Sequence, residues 1–332
     1  MTTFSPAFDL EQVPALRART ELIREVQNGL HSRPRSLKPW MFYDELGSRL
    51  FERITALPEY YPTRTERSLL ESHADAIVAS ACADSHPLRV LELGAGTASK
   101  TCLLLAAAAR RKIDVVYMPL DISADALDTA CQDIESAFPE VLIEPIVVNY
   151  VDSPPKLEEF DGSTLALYLG SSIGNFMPRE SRTILRNIGS QLRSEDTLVL
   201  GTDLVKEESK LIAAYDDDEG VTAAFNLNIL NRLNNELGAD FDLARFRHCV
   251  RWNSVESRIE MHLESTCEQS IQISAAEMEL NFRKGETIHT ENSYKFTDET
   301  VGALLSDSGF EMQQAWKDTR EWYALTLSRR QE

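Results

Sequence analysis

Residues 90–101 read VLELGAGTASKT, and no other stretch restricts the fold so tightly. An apolar run (Leu88, Val90, Leu91, Leu93) has the character of a buried strand, Gly94 and Gly96 follow it, and a Leu- and Ala-rich helical segment comes next. Glycines at a strand-to-helix turn let backbone pass where a side chain would collide, and they leave the helix N-terminus open to a ligand. The same order recurs downstream. Strands are predicted at 88–93, 115–121, 141–148, 164–169 and 197–204, and helices at 100–110, 124–137 and 179–192. Alternation at this spacing implies βαβ units, right-handed crossovers and a parallel sheet of the α/β class. Upstream, 14–30 and 44–55 carry helical periodicity, and LPEYYPTR (57–64) reads as a rigid aromatic loop.

After residue 205 the alternation stops. Helical patterns at 207–215 and 221–236 precede strand-like segments at 248–253, 257–264, 270–274 and 278–282. A helix at 298–308 and strands at 312–316 and 322–327 complete the chain. A doubly wound sheet closed by an antiparallel hairpin, with about 90 residues inserted before its last helix, explains this order. The implied division assigns 65–205 and 296–332 to the sheet domain, and 1–64 and 206–295 to a second domain.

Ligands on such sheets sit beyond the carboxyl ends of the strands. That rule makes candidates of Gly94 and Gly96, Asp121, the pair Asn149–Tyr150, and the loop from Gly170 to Asn175. Two cofactor classes use a glycine turn of this kind, dinucleotides and S-adenosylmethionine (SAM). The dinucleotide fingerprint needs a third glycine three residues after the second; Ser99 stands there instead. Asp121 lies 27 positions after Gly94 and can accept from both ribose hydroxyls of an adenosine. It can also cap the helix of DISADAL, a task Ser123 is equally suited to. Lys100, in a first helical turn, opposes the macrodipole, so a cofactor carboxylate gives it a reason to be there. SAM has one and a nicotinamide dinucleotide does not. In LYLGSSIGNF (167–176) the Asn175 amide both donates and accepts, although it can equally cap the next helix. Asp203 in GTDLVK reads as a solvated strand end.

The balance of 34 Lys and Arg against 53 Asp and Glu gives a net charge of −19. Such a chain repels phosphate backbones, and its basic residues form no stripe, so nucleic acid is an unsuited partner. Five cysteines, far apart and never spaced C-x-x-C, fit a reducing cytosol better than a disulfide framework or zinc site. The start, MTTFSPAFDLEQ, lacks a basic run followed by an apolar core, so no secretory signal is expected. The longest apolar runs are too short for a bilayer. No coiled-coil pattern is evident, which makes a cytoplasmic monomer the expectation. The six histidines are scattered, with His31, His73 and His86 reading as surface positions. Neither a metal site nor a covalent nucleophile is expected.

Seven strings together carry something more specific. FYDELGSRLFERITALPEYYPTRTE (42–66), LELGAGTASKT, LYLGSSIGNF, GTDLVK, AYDDDEGVTAAFN (214–226), RIEMHL (258–263) and TENSYKF (290–296) span nearly the whole chain. In that combination the sequence resembles the histidine-specific Nα-methyltransferases of ergothioneine biosynthesis. The resemblance implies a class I SAM-methyltransferase Rossmann-like sheet with a second α+β substrate domain. The latter is formed by the N-terminal helices and the insertion, with histidine bound between the domains. It implies transfer of three methyl groups from SAM to the α-amine of L-histidine, giving hercynine and S-adenosylhomocysteine.

By motif, the resemblance places Tyr60 on the substrate side and Tyr43 near the amine, and gives Asn175 and Tyr215 the amino and carboxylate groups, with Gly170 and Thr222 close by. Glu291 and Ser293 fall to the imidazole nitrogens and Met261 to the shape of that pocket. SAM falls to Tyr43, Gly94, Gly96, Lys100, Asp121 and the pair Asn149–Tyr150. At that pair the family usually shows Asp-Phe, a departure that keeps an acceptor and an aromatic face but alters the adenine site. The rival readings are a SAM-dependent N-methyltransferase of another amino acid or small amine, a non-catalytic protein of the same fold, and a protein or RNA methyltransferase. Glu291 and Met261 favour histidine over the first, the intact cofactor loop weighs against the second, and the acidic charge against the third.

Overall fold

The computed structural model describes residues 12–82, 87–96, 98–121, 124–151, 154 and 156–331; His86, Ser123 and most of the MTTFSPAFDLEQ segment lie outside them. The chain begins with α1 (Gln12–His31), β1 (Arg35–Ser36), α2 (Glu45–Ala56) and α3 (Tyr61–Ala81). Then come β2 (Leu88–Leu93), α4 (Thr101–Arg110), β3 (Val115–Asp121), α5 (Ala124–Ala137), β4 (Leu142–Ile143) and β5 (Ile146–Val147). β6 (Ser163–Tyr168), α6 (Pro178–Gly189), β7 (Thr197–Asp203), α7 (Glu208–Ala213) and α8 (Val221–Leu237) follow. The remainder is β8 (Phe246–Asn253), β9 (Arg258–Ser265), β10 (Gln269–Ile273), β11 (Met278–Phe282), β12 (Thr287–Tyr294), α9 (Asp298–Asp307), β13 (Phe310–Lys317) and β14 (Tyr323–Arg330). These elements form two compact units. Unit one comprises Met1–Glu59, Ser209–Asn253 and Ile259–Glu291, and unit two comprises Tyr60–Glu208, Ser254–Arg258 and Asn292–Glu332.

Unit two is built on a sheet of order β13-β14-β7-β6-β2-β3-β4, with β5 also paired to β3. The pairs from β4 to β7 are parallel, and β14 and β13 close the edge antiparallel. All six residues of β2 and all seven of β7 are buried, as strands covered on both faces must be. The period of two sorts them between two cores. Val90, Leu165 and Leu167 pack with Leu70, Ile77 and Leu104 on one face. Leu91, Ala166 and Tyr168 pack with Ile184, Ile188 and Leu305 on the other. Strand order reverses beside β2, so the loops leaving β2 and β6 part there, the geometry that opens a ligand crevice in doubly wound sheets.

Two local readings of the sequence fail here. LPEYYPTR is not a loop throughout: Tyr61 begins α3, with Pro62 in the first turn, where its missing N–H is harmless. The single strand expected at 141–148 is two short pieces, β4 and β5. Pro145 lies between them, and a proline has no N–H to give the ladder.

Unit one holds α1, α2 and α8 with strands of a four-stranded sheet, order β1-β12-β9-β8, and the antiparallel hairpin β10-β11. Asp44 caps α2 by accepting the Gly47 N–H at 2.7 Å, and it takes a second bond from the Asn228 side chain of α8 at 2.7 Å. Phe42 stacks on Phe225 with centroids 4.5 Å apart. Buried Arg35 sets β1 against β12: it donates to Glu286 at 2.8 Å and lies over the Phe282 ring. Strand β12 has no counterpart in the sequence reading, which left 283–297 without an element.

Candidate functional site

The glycine turn after β2 is open. Gly94 and Gly96 are exposed and take left-handed φ values of +66° and +52°, and the Gly94 N–H is held by the Leu120 carbonyl at 2.8 Å. A Cβ on Gly94 would stand 3.1 Å from the Tyr150 hydroxyl, so only glycine keeps this cradle clear. Asp121, half-buried at the end of β3, accepts the Gly96 N–H at 3.5 Å. Burial first, and then the charge of Asp121, raise the Tyr150 hydroxyl above its ordinary range, so it remains a donor. Asn149 turns its carbonyl oxygen to the Val151 N–H at 3.2 Å. Gly94, Gly96, Asp121 and Tyr150 therefore surround one crevice mouth, and a small open turn with a carboxylate beside it suits the ribose of an adenosine.

Lys100 stands just before α4 as its N-cap, and its ammonium pairs with Glu66 of α3. Glu66 is completely buried. Its two oxygens accept the Gly170 N–H at 2.8 and 3.0 Å, and the Tyr323 hydroxyl donates to it at 2.7 Å. Room for this carboxylate exists because β7 carries Gly201 there, where a Cβ would overlap the Glu66 oxygen. One acid thus ties the loop after β2 to the loop after β6. The reading of sequence missed Glu66; its signal was a carboxylate in step with Tyr61, Pro62, Leu69 and Leu70 on the buried side of one helix.

The loop after β6 turns through left-handed Gly170 and Ser171 into a short 3-10 segment ending at Asn175. Helix α6 is capped at Met177, so Asn175 is not its N-cap, and the bland alternative for that side chain falls away. A Cβ on Gly174 would lie 2.7 Å from the Tyr294 carbonyl, which packs this turn on the end of β12.

Asp203 is not a solvated strand end. It is buried, and around it gather the Tyr61 hydroxyl at 2.9 Å, Lys295 at 2.8 Å and the ammonium of Lys206. Burial alone would raise its carboxyl, but Lys295 and then Lys206 outweigh that and hold it below the usual range. Burial also pushes Lys206 down to about 8. Lys295 donates in turn to the Ser293 hydroxyl at 2.8 Å. Tyr60, at the N-cap of α3, is buried, and its carbonyl accepts from Arg64 at 3.1 Å.

In unit one Tyr43 is partly exposed, edge-on to Phe51 and Phe225. Tyr215, Thr222, Met261 and Glu291 are buried. Asp217 accepts the Val221 and Thr222 N–H groups at 2.8 and 2.7 Å, which anchors the start of α8. The Tyr215 carbonyl takes a bond from His248 Nε2 at 2.8 Å, while the Asn226 amide donates to His248 Nδ1 at 2.8 Å. A carbonyl only accepts, so this histidine is neutral with its proton on Nε2. Asn226 also accepts from Thr290 at 2.8 Å, the neighbour of Glu291 on β12. Of the histidines read as surface, His31 is exposed, whereas His73 is half-buried and stacks on Trp316 at 5.1 Å.

A family described as "Histidine-specific methyltransferase, SAM-dependent" matches residues 22–330. A histidine N-alpha-methyltransferase from Mycolicibacterium smegmatis is 41% identical over 94% of this chain and 95% of its own length. The protein of the same description from Mycobacterium tuberculosis is 41% identical over 92% of this chain and 94% of its own. The N-methyltransferase fsqC of Aspergillus fumigatus is 29% identical over 96% and 87% respectively.

Proposed function

The chain belongs to the histidine-specific, SAM-dependent methyltransferase family, and on that premise we propose that it methylates the α-amine of L-histidine three times, forming hercynine, the first step of ergothioneine biosynthesis. The observation that carries the reading is the 41% identity to histidine N-alpha-methyltransferases along almost the full length of both chains. Bound SAM supplies a methyl group made electrophilic by its sulfonium.

The chain's own part is to bind and position. Gly94 and Gly96 let backbone approach the cofactor, Asp121 takes the ribose hydroxyls, and Asn149 and Tyr150 flank the adenine. Lys100, steadied by Glu66, takes the cofactor carboxylate, and Tyr43 is assigned a contact to the cofactor by its motif. On the substrate, Glu291 accepts an imidazole N–H, Ser293 meets the other ring nitrogen and Met261 shapes the pocket. Tyr60, Gly170, Tyr215 and Thr222 surround the amino acid. No nucleophilic side chain is needed, only a deprotonated amine held in line. Asn175 orients that amine, and its proton leaves to water near Tyr43. The bond that a ring N–H makes to the buried Glu291 carboxylate is lost with side chains that have no ring donor, and that loss sets the preference for histidine.

We place the enzyme in the cytoplasm as a monomer that engages neither nucleic acid nor membrane. The net charge of −19 disfavours a phosphate backbone as partner, and five cysteines never spaced C-x-x-C fit a reducing compartment. The deciding experiment incubates the protein with SAM and each of the twenty amino acids, following stepwise methyl mass gains. Histidine should gain three methyls, and Asn175→Ala should lower kcat/KM for histidine at least ~10-fold. No gain on histidine, or gain on another amino acid or amine instead, rejects the assignment.

A further inference from the structure

The side chain of Glu66 has no exposure, whereas that of Lys100, its ion-pair partner, keeps 22%. The acid therefore cannot meet a ligand itself, and the lysine can. A buried carboxylate is costly unless donors meet it, and here they come from three separate elements. Lys100 leads into α4, the Gly170 N–H after β6 bridges both oxygens at 2.8 and 3.0 Å, and the Tyr323 hydroxyl at the start of β14 donates at 2.7 Å. All of these residues belong to unit two. Burial, and then the charge of Glu66, hold the Tyr323 hydroxyl well above its ordinary range, so it stays a donor.

An ammonium at the start of a helix is pushed outward by the positive end of the dipole, and a lysine chain has many rotamers to spend in solvent. Glu66 instead draws it toward the loop after β6: a Cβ on Gly170 would stand 3.6 Å from Lys100 Nζ. We propose that Glu66 is a positioning residue of the cofactor site, holding the Lys100 ammonium between the loops after β2 and β6, where it takes the cofactor carboxylate. This rests on the reading above, in which Lys100 makes that contact. As a charge alone, Glu66 would weaken the pull of Lys100 on a second anion, since two carboxylates then share one ammonium. Its gain is geometric. An ammonium has three donors; Glu66 takes one, and that bond limits where the other two point. Less rotamer freedom is then lost when the cofactor binds.

Decarboxylated S-adenosylhomocysteine keeps the adenosine, the thioether and the amine, and lacks only the carboxylate. The test compares its dissociation constant with that of S-adenosylhomocysteine, by calorimetry, in wild type and variants. Wild type should bind S-adenosylhomocysteine about tenfold or more tightly, as one charge-assisted hydrogen bond implies. Lys100→Met should abolish that preference. In Glu66→Gln the new NH2 meets the Gly170 N–H whichever way the amide turns, because that N–H spans both oxygens. The hold on Lys100 is lost, so affinity for S-adenosylhomocysteine should fall about tenfold while that for the decarboxylated ligand stays within about twofold. In the Lys100→Met background, Glu66→Gln should change the ratio of the two constants no further. Gly201→Ala sets a methyl where Glu66 Oε1 lies and shifts the carboxylate without removing its charge. It should erode the preference about threefold or more, and it decides the matter if Glu66→Gln does not fold.

A preference kept or strengthened in Glu66→Gln, or in Gly201→Ala where that variant decides, overturns the proposal, since charge then outweighs position. So does an equal loss on both ligands, which is the mark of a merely structural acid, and so does a further fall of the ratio in the double variant. Any of these results, with the preference present in wild type and lost in Lys100→Met, overturns this inference alone. A wild type without the preference, or a Lys100→Met variant that keeps it, overturns the contact between Lys100 and the cofactor carboxylate and this inference with it.

Discussion

Glu92, in the middle of β2, is wholly buried, and burial lifts its carboxyl to about 7 although the Tyr117 hydroxyl donates to it. A group whose folded pKa is raised contributes stability that is complete below its unfolded value of 4.5 and is lost as pH rises through about 7. The shift corresponds to about 3 kcal/mol. His248 and His262 slope the other way over this range: burial depresses both, His262 to about 4, so unfolding takes up protons. The measurement is therefore a difference. Urea unfolding of wild type and Glu92→Gln from pH ~5 to ~8 should show the variant gaining on wild type as pH rises, by up to about 3 kcal/mol. Parallel curves would show that Glu92 is ionised throughout. At this scale the sequence was legible where a residue's role is local, as with the glycines of the turn. It was illegible for Asp203, whose strand-end position looked solvated until Lys206, Lys295 and Tyr61 were seen around it.

At the scale of elements, the period-two and helical patterns located most of the strands and helices of unit two to within a few residues. The exceptions have physical causes. Tyr-Tyr-Pro looks like punctuation, yet proline at the start of α3 costs nothing. β12 reads TIHTENSY, with polar residues on both faces, because several of its buried side chains hydrogen-bond rather than pack. Such a strand has no hydrophobic period to detect. Helix α3 meets β7 where Glu66 occupies the space above Gly201. Gly201→Ala should therefore destabilise the protein by about 1–3 kcal/mol, the usual range for overpacking, and lower its Tm in a thermal melt. An unchanged Tm would mean that Glu66 can move aside without loss.

At the scale of the whole molecule, the −19 charge dominates. Self-repulsion of that size weakens the compact state, and added salt screens it. Raising NaCl from ~0.01 M to ~0.3 M should raise Tm by several degrees in a fluorimetric melt, and a flat or falling Tm would show that local ion pairs offset the repulsion. By itself the sequence determined the alternation of strand and helix, the open glycine turn and the family strings, because each depends on residues close together in the chain. Only the tertiary structure decided which charges are buried, which are shared and which way their protons point. Glu66 meets Gly170 and Tyr323, and Asp203 meets Tyr61 and Lys295, across separations of more than a hundred residues in three of the four contacts. A buried charge is governed by whatever lies about 3 Å away and by the loss of water around it, and neither can be read from its neighbours in sequence.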